Sequence, residues 1–214
     1  MQQLLTVYVH LIATCMAIGV IVMTDMRLVA KLAGYRVTIP PPERFESRMI
    51  MVATALLLLT GTALVAMGLV ADPRYLDNPK LQAKLVLVCL LCANGFALHY
   101  ITFPRLARGC TVASWSLRDL FAVAVPVGLS NSLWTYCAFL GIARPWNFSV
   151  PIGDVLGFAA ALFMVAVSAV LIGLRFAARD EPRLEPDWVD SVKARLGDRA
   201  PLGGYRQPFQ DTLF

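Results

Sequence analysis

The sequence predicts an all-α polytopic membrane protein: a five-transmembrane-helix bundle with its N-terminus outside and its C-terminus cytoplasmic. Three observations predict it. Five apolar stretches each approach the roughly 20 residues that a helix needs to cross a bilayer; they run Leu4–Thr24, Met49–Ala71, Leu85–Phe103, Leu120–Ala143 and Ile152–Phe176. Charged residues, 15% of the chain, are nearly absent inside these stretches and concentrate between and after them. Hydrophobic residues make up 58% and the mean hydropathy is +0.65, beyond the range of an ordinary soluble domain. Lipid offers no partner to a backbone amide, so such stretches must be helices.

The first stretch has no cations before it and no small-residue cleavage site after it, so it reads as a retained anchor rather than a removed signal peptide. Asp25 to Ala33 can continue this helix past the bilayer, with Gly34 as its C-cap. Ile39-Pro40-Pro41-Pro42 then forces an extended connection. The second stretch is followed by a tight loop, in which Asn78 before Pro79 reads as the N-cap and first-turn proline of the third helix. Pro104 is expected to end that helix, and Ser116 to cap the fourth. The last short loop, Arg144 to Ser149, carries Asn147-x-Ser149, a glycosylation sequon set very close to the membrane. Tyr8, Tyr75, Trp115, Trp146 and Phe148 stand where interfacial anchors belong.

Residues 1–178 read as the membrane domain and residues 179–214 as a cytoplasmic tail. One short amphipathic helix fits Pro186 to Leu196, with Trp188, Val189, Val192 and Leu196 on a face. The net charge of +5 is topological. Arg27, Lys31, Arg36, Arg44 and Arg48 follow the first helix, Arg105, Arg108 and Arg118 the third, and seven more cations the fifth. The other two loops are counted with only Arg74, Lys80, Lys84 and Arg144. Cations are retained on the cytoplasmic side, which orients the chain and removes the reason to expect a nucleic-acid partner.

Few residues carry chemistry. His10 and His99 are the two histidines, and both lie inside predicted spans. Intramembrane ionisable groups are functional candidates, and imidazoles on membrane helices are the usual ligands of haem b. The two differ in depth by roughly 12 Å at 1.5 Å per residue, so they are not expected to share one iron. The alternative is that each hydrogen-bonds a neighbouring helix. A polar midplane cluster comprises Asn94 on the third helix with Ser130, Asn131, Thr135 and Tyr136 on the fourth. It reads either as a small-molecule or ion site or as an interhelical Asn94–Asn131 hydrogen bond. Asp25 is expected to pair with Arg27 or Arg48, and Asp154 to serve the first turn of helix five. Cys89-x-x-Cys92 lies on a membrane helix with no second ligand pair and reads as packing. No metal-binding motif, phosphate loop or nucleophile elbow is present. Gly153, Gly157 and Ala161 form a small-residue stripe that lets another helix approach closely.

His10 to Ala13 with Thr24-Asp25-Met26-Arg27-Leu28, and Pro79 to Leu85 with Asn94 and His99, resemble a group of uncharacterised bacterial inner-membrane proteins. Those proteins are similar to copper-resistance-D-like and cytochrome-b-like membrane domains. The resemblance implies a multi-pass location in the bacterial inner (cytoplasmic) membrane; haem b is the candidate cofactor, with His10 and His99 its candidate ligands on separate irons. Three functions follow as expectations. The first is a non-catalytic subunit or accessory protein of a larger respiratory or other bioenergetic complex, in contact with lipid and with other membrane subunits or copies of itself. The second is a haem-b electron carrier, and the third a small transporter built on the midplane amides.

Overall fold

Backbone groups that lipid cannot satisfy organise the chain into five long helices. In the computed structural model, which describes residues 1–32, 44–107, 112 and 115–180, these are α1 (Gln2–Leu32), α2 (Arg44–Ala71), α3 (Pro79–Ala97), α4 (Leu117–Ile142) and α5 (Ile152–Asp180). All five are long and apolar enough to cross a membrane. They belong to one unit, Met1–Arg179. The expected Gly34 cap, the extended run at Ile39 to Pro42 and the helix at Pro186 to Leu196 lie outside the described residues.

Two helix starts follow the capping logic. Asn78 Oδ1 accepts from the Lys80 amide at 3.1 Å, with Pro79 opening α3. The Ser116 hydroxyl oxygen accepts from the Asp119 amide at 3.3 Å and its proton goes to Asp119 Oδ2 at 2.6 Å. The helix begins at Pro79, as the Asn78-Pro79 pair predicts, six residues before the apolar stretch that opens at Leu85. Lys80 and Lys84 therefore belong to the third apolar span and not to a loop.

Pro104 does not end the third span. The helix passes through one π turn at Leu98–Thr102, closed by the Phe103 amide bonding Leu98 O, and continues over Phe103–Leu106. A π turn loosens the helix one step before the proline ring must be accommodated.

The second proline has a more specific answer. Pro126 sits inside α4 and supplies no amide proton, so the carbonyl of Ala122 loses its donor. Thr102, completely buried at the end of the π turn, donates to that carbonyl at 3.1 Å. One turn higher, Asn94 Nδ2 donates to Pro126 O at 2.9 Å. The two bonds bind α3 to the weakened part of α4.

α4 is the axis of the bundle. Its Trp134 packs on Ala17 of α1 and Ala53 of α2. Leu133, Tyr136 and Leu140 meet Ala83 and Leu87 of α3 and Val155 and Ala159 of α5. Val123 and Ala124 meet Val170 and Leu174 of α5. α4 and α5 touch backbone to backbone: a β-carbon at Gly128 would lie 2.8 Å from Val167 N and 2.9 Å from its Cα. Leu59, Val70, Phe96, Val165 and many other large apolar side chains face outward, while alanines recur inside. Lipid solvates the first group as well as a core would, so close approach of small residues holds the helices together.

The ends are pinned separately. Between the two short loops, Asn78 Nδ2 donates to Asn147 Oδ1 and the Phe148 amide to Asn78 Oδ1, both at 3.5 Å. Phe148 takes a left-handed φ of 57° to do so. Trp146 stands edge-on to Phe139 at 5.3 Å and near Phe158 at 5.8 Å. At the other end Arg105 pairs with Asp119 at 3.3 Å.

Thr102→Val should lower stability by about 1 kcal/mol, and by much less in a Pro126→Ala background, where residue 126 again supplies the proton for Ala122 O. Unfolding in mixed micelles measures both steps. Equal costs in the two backgrounds would show that Thr102 does not answer the proline.

Candidate functional site

Helix register decides which polar side chains meet. His10, three turns into α1, turns toward α2, where Nδ1 lies 2.7 Å from Thr60 Oγ1. The threonine has one proton, and its oxygen is 2.6 Å from Leu56 O, the carbonyl a turn earlier. With that proton committed, Oγ1 accepts from His10 and Nδ1 is the protonated nitrogen. Nε2 is then the open position of a neutral imidazole, the arrangement in which histidines bind metals. A β-carbon at Gly61 would stand 3.6 Å from His10 Cε1, an ordinary contact.

On α3, Lys84 is half-buried. Its Nζ lies 3.7 Å from where a β-carbon of Gly141 would be. Lys80, one turn earlier, donates to Ala143 O at 2.9 Å and so answers the C-terminal end of α4. In the half of the bundle that carries the short loops, the His10–Thr60 bond thus joins α1 to α2, and Lys80 and Lys84 reach from α3 to the end of α4.

Asp25 belongs to a different place. Its Oδ1 accepts from Asn131 Nδ2 at 3.1 Å, across from α4 to α1. The expected Asn94–Asn131 bond does not form. Asn94 is consumed by Pro126 O and Asn131 by Asp25. Nor do the other members of the expected midplane cluster converge. Tyr136 donates to Val155 O at 2.8 Å, Thr135 is exposed, and Ser130 is half-buried. Consecutive helical residues diverge by 100° each, so a run such as Ser130-Asn131-Ser132 reaches three different neighbours.

His99 is exposed on the π turn and stands edge-on to Tyr100 and Phe103, with ring centres 5.6 and 6.1 Å away. Cys89 is exposed, Cys92 half-buried, and both are free thiols. Gly153, Gly157 and Ala161 are exposed, and among the described residues nothing lies within 4 Å of a β-carbon at either glycine. Among the described residues, no three of His, Cys, Asp and Glu group to hold a metal. Lys84 is the site residue that reading the chain misses. The signal was present in the cap: Asn78-Pro79 places Lys80 and Lys84 on one face of the first two turns.

No protein-family model, curated protein or solved structure matches this chain. The class it joins is therefore set by its own geometry, that of a multi-pass helical membrane protein.

Asn131→Leu leaves the Asp25 carboxylate without its donor and should destabilise the bundle by about 1–3 kcal/mol. Adding Asp25→Asn removes the stranded charge and should recover much of that loss. Chemical unfolding of the three variants checks it; a neutral Asn131→Leu would show that the carboxylate does not depend on this amide.

Proposed function

We propose that this chain is a non-catalytic subunit or accessory protein of a larger assembly in a bacterial inner membrane. The observation carrying the proposal is the outward face of α5. Gly153, Gly157 and Ala161 recur every fourth residue on the exposed side of a helix whose other side packs against α4. A small-residue stripe gains nothing from lipid but lets a second helix approach closely. The uses of the polar side chains support the same reading. Asn94, Thr102 and Tyr136 spend their hydrogen bonds on backbone carbonyls of neighbouring helices, work that holds a scaffold together.

A specific observation favours a second reading, haem b binding. The His10 hydrogen bond to Thr60 leaves Nε2 free to ligate. His10 would be the ligand from this chain, and the haem would supply one-electron chemistry. Absorption spectra of the purified protein before and after dithionite reduction, with a His10→Gln control, decide between the readings.

Gly157→Leu should leave insertion and folding intact, since Leu is favourable in lipid, yet reduce assembly on a native gel. Gly128→Leu, by contrast, should disrupt the bundle itself, because its side chain would enter the Val167 backbone. A Gly157→Leu protein that keeps every partner removes the main support for a subunit role.

The proposed orientation, short loops and N-terminus outside, follows the cation distribution. A variant retaining Cys110 as its single cysteine should react with a membrane-impermeant thiol reagent in inverted vesicles and not in intact cells. Labelling in intact cells would reverse the topology.

A further inference from the structure

The outward face of α5 does not end with its small-residue stripe. Further along the helix it opens into a shallow groove of about 420 Å³, lined by Met164, Val165, Ser168, Ala169 and Ile172. There the small side chains of Ser168 and Ala169 lie among the large, exposed ones of Met164, Val165 and Ile172. Gly157, Ala161, Met164 and Ser168 follow one another at steps of four, three and four, and Arg175 comes seven residues later. That is the spacing of a left-handed helix pair, in which a gap between larger side chains receives the knob of a partner helix.

Two polar groups on this face have no partner. Thr24 and Thr62, which also face outward, each donate to the carbonyl four residues earlier. Ser168 makes no such bond among the described residues, and acyl chains offer its hydroxyl nothing. Arg175, two turns past Ser168 and about 10.5 Å along the helix, is exposed and pairs with no carboxylate among the described residues. These two groups choose between occupants of the groove. An acyl chain would fill it and leave Ser168 unanswered. A second copy, which insertion sets parallel to the first, would bring Arg175 against Arg175 at the same depth. A helix of another protein with a carboxylate at that depth answers both groups.

We propose, on the subunit reading above, that this groove docks one transmembrane helix of a partner protein. That helix presents a hydroxyl or amide side chain at the level of Ser168 and an Asp or Glu two turns on, at the level of Arg175. The small residues let the two backbones approach, and a hydrogen bond to Ser168 forms where lipid offers no alternative. The guanidinium–carboxylate pair at the end of the span fixes the register of the partner and excludes helices that carry a cation there.

The test uses the full chain in mixed micelles with two synthetic transmembrane helices as probes. One is a leucine-rich helix with a single serine and, seven residues toward one end, a glutamate; the other has lysine in place of the glutamate. Energy transfer between dyes on chain and probe reads the binding. Wild type should bind the glutamate probe about fivefold more tightly than the lysine probe, and Arg175→Glu should reverse that order. Ser168→Leu, whose side chain fills the groove, should bind neither; since Arg175→Glu leaves the groove untouched, it decides the matter even where Ser168→Leu does not fold. Equal binding of both probes by wild type overturns the proposal, because any apolar occupant would then suffice. A spontaneous disulfide-linked dimer of Ser168→Cys overturns it as well, by putting a second copy on this face. Loss of the charge preference sinks the assigned partner alone, whereas a wild type that assembles with nothing on a native gel sinks the subunit reading.

Discussion

A proline within a membrane helix frees the carbonyl four residues before it, and in lipid no water can take the place of the lost donor. At Ala122 that donor comes from Thr102 on the neighbouring helix, and the bond fixes more than one carbonyl. To bring a fully buried hydroxyl to α4 at that height, the third span makes its π turn at Leu98–Thr102, which also carries the chain past Pro104. Asn94, two turns earlier, reaches Pro126 O from the same helix. Two separate bonds thereby set the rotation of α3 about its own axis. That rotation turns Lys84 toward Gly141 and turns His99 outward.

With α3 and α4 locked, the rest packs by contact distance. In a bundle solvated by lipid, large apolar side chains have little preference for the interior, and close approach decides. The interior holds Ala17, Ala53, Ala83, Ala124 and Ala159 beside Leu87, Leu133, Tyr136 and Leu140, and Trp134 packs on α1 and α2. Gly128 lets α5 run along α4 at backbone distance. The same physics separates two glycine positions that look alike in the chain: Gly128 is filled by a neighbour, Gly157 by nothing among the described residues. The first is part of the packed interior and the second lies on the outward face of α5.

Polar groups sort by the same accounting. Most intramembrane donors here are paired with a carbonyl or carboxylate on another helix, a pairing that links elements far apart in the chain. His10 Nε2 and the Lys84 ammonium differ, because neither makes a hydrogen bond among the described residues.

Hydrophobic run length alone determined the five helices, because the bilayer demands about 20 apolar residues and full backbone satisfaction. Local capping chemistry was equally legible at Asn78-Pro79 and Ser116, since a cap needs only residues within three positions of it. What the chain did not disclose was which faces turn inward. Membrane helices are apolar all round, so the periodicity that reveals the buried side of a soluble helix is weak. Asn94 and Asn131 looked like partners by depth, yet a few tens of degrees of rotation sent one to Pro126 and the other to Asp25. Lys84 was counted with the loop cations although the Asn78-Pro79 cap already set it on the third helix. Depth is a property of position along the chain; partnership in a bundle depends on axial rotation, and that is set only when the helices pack.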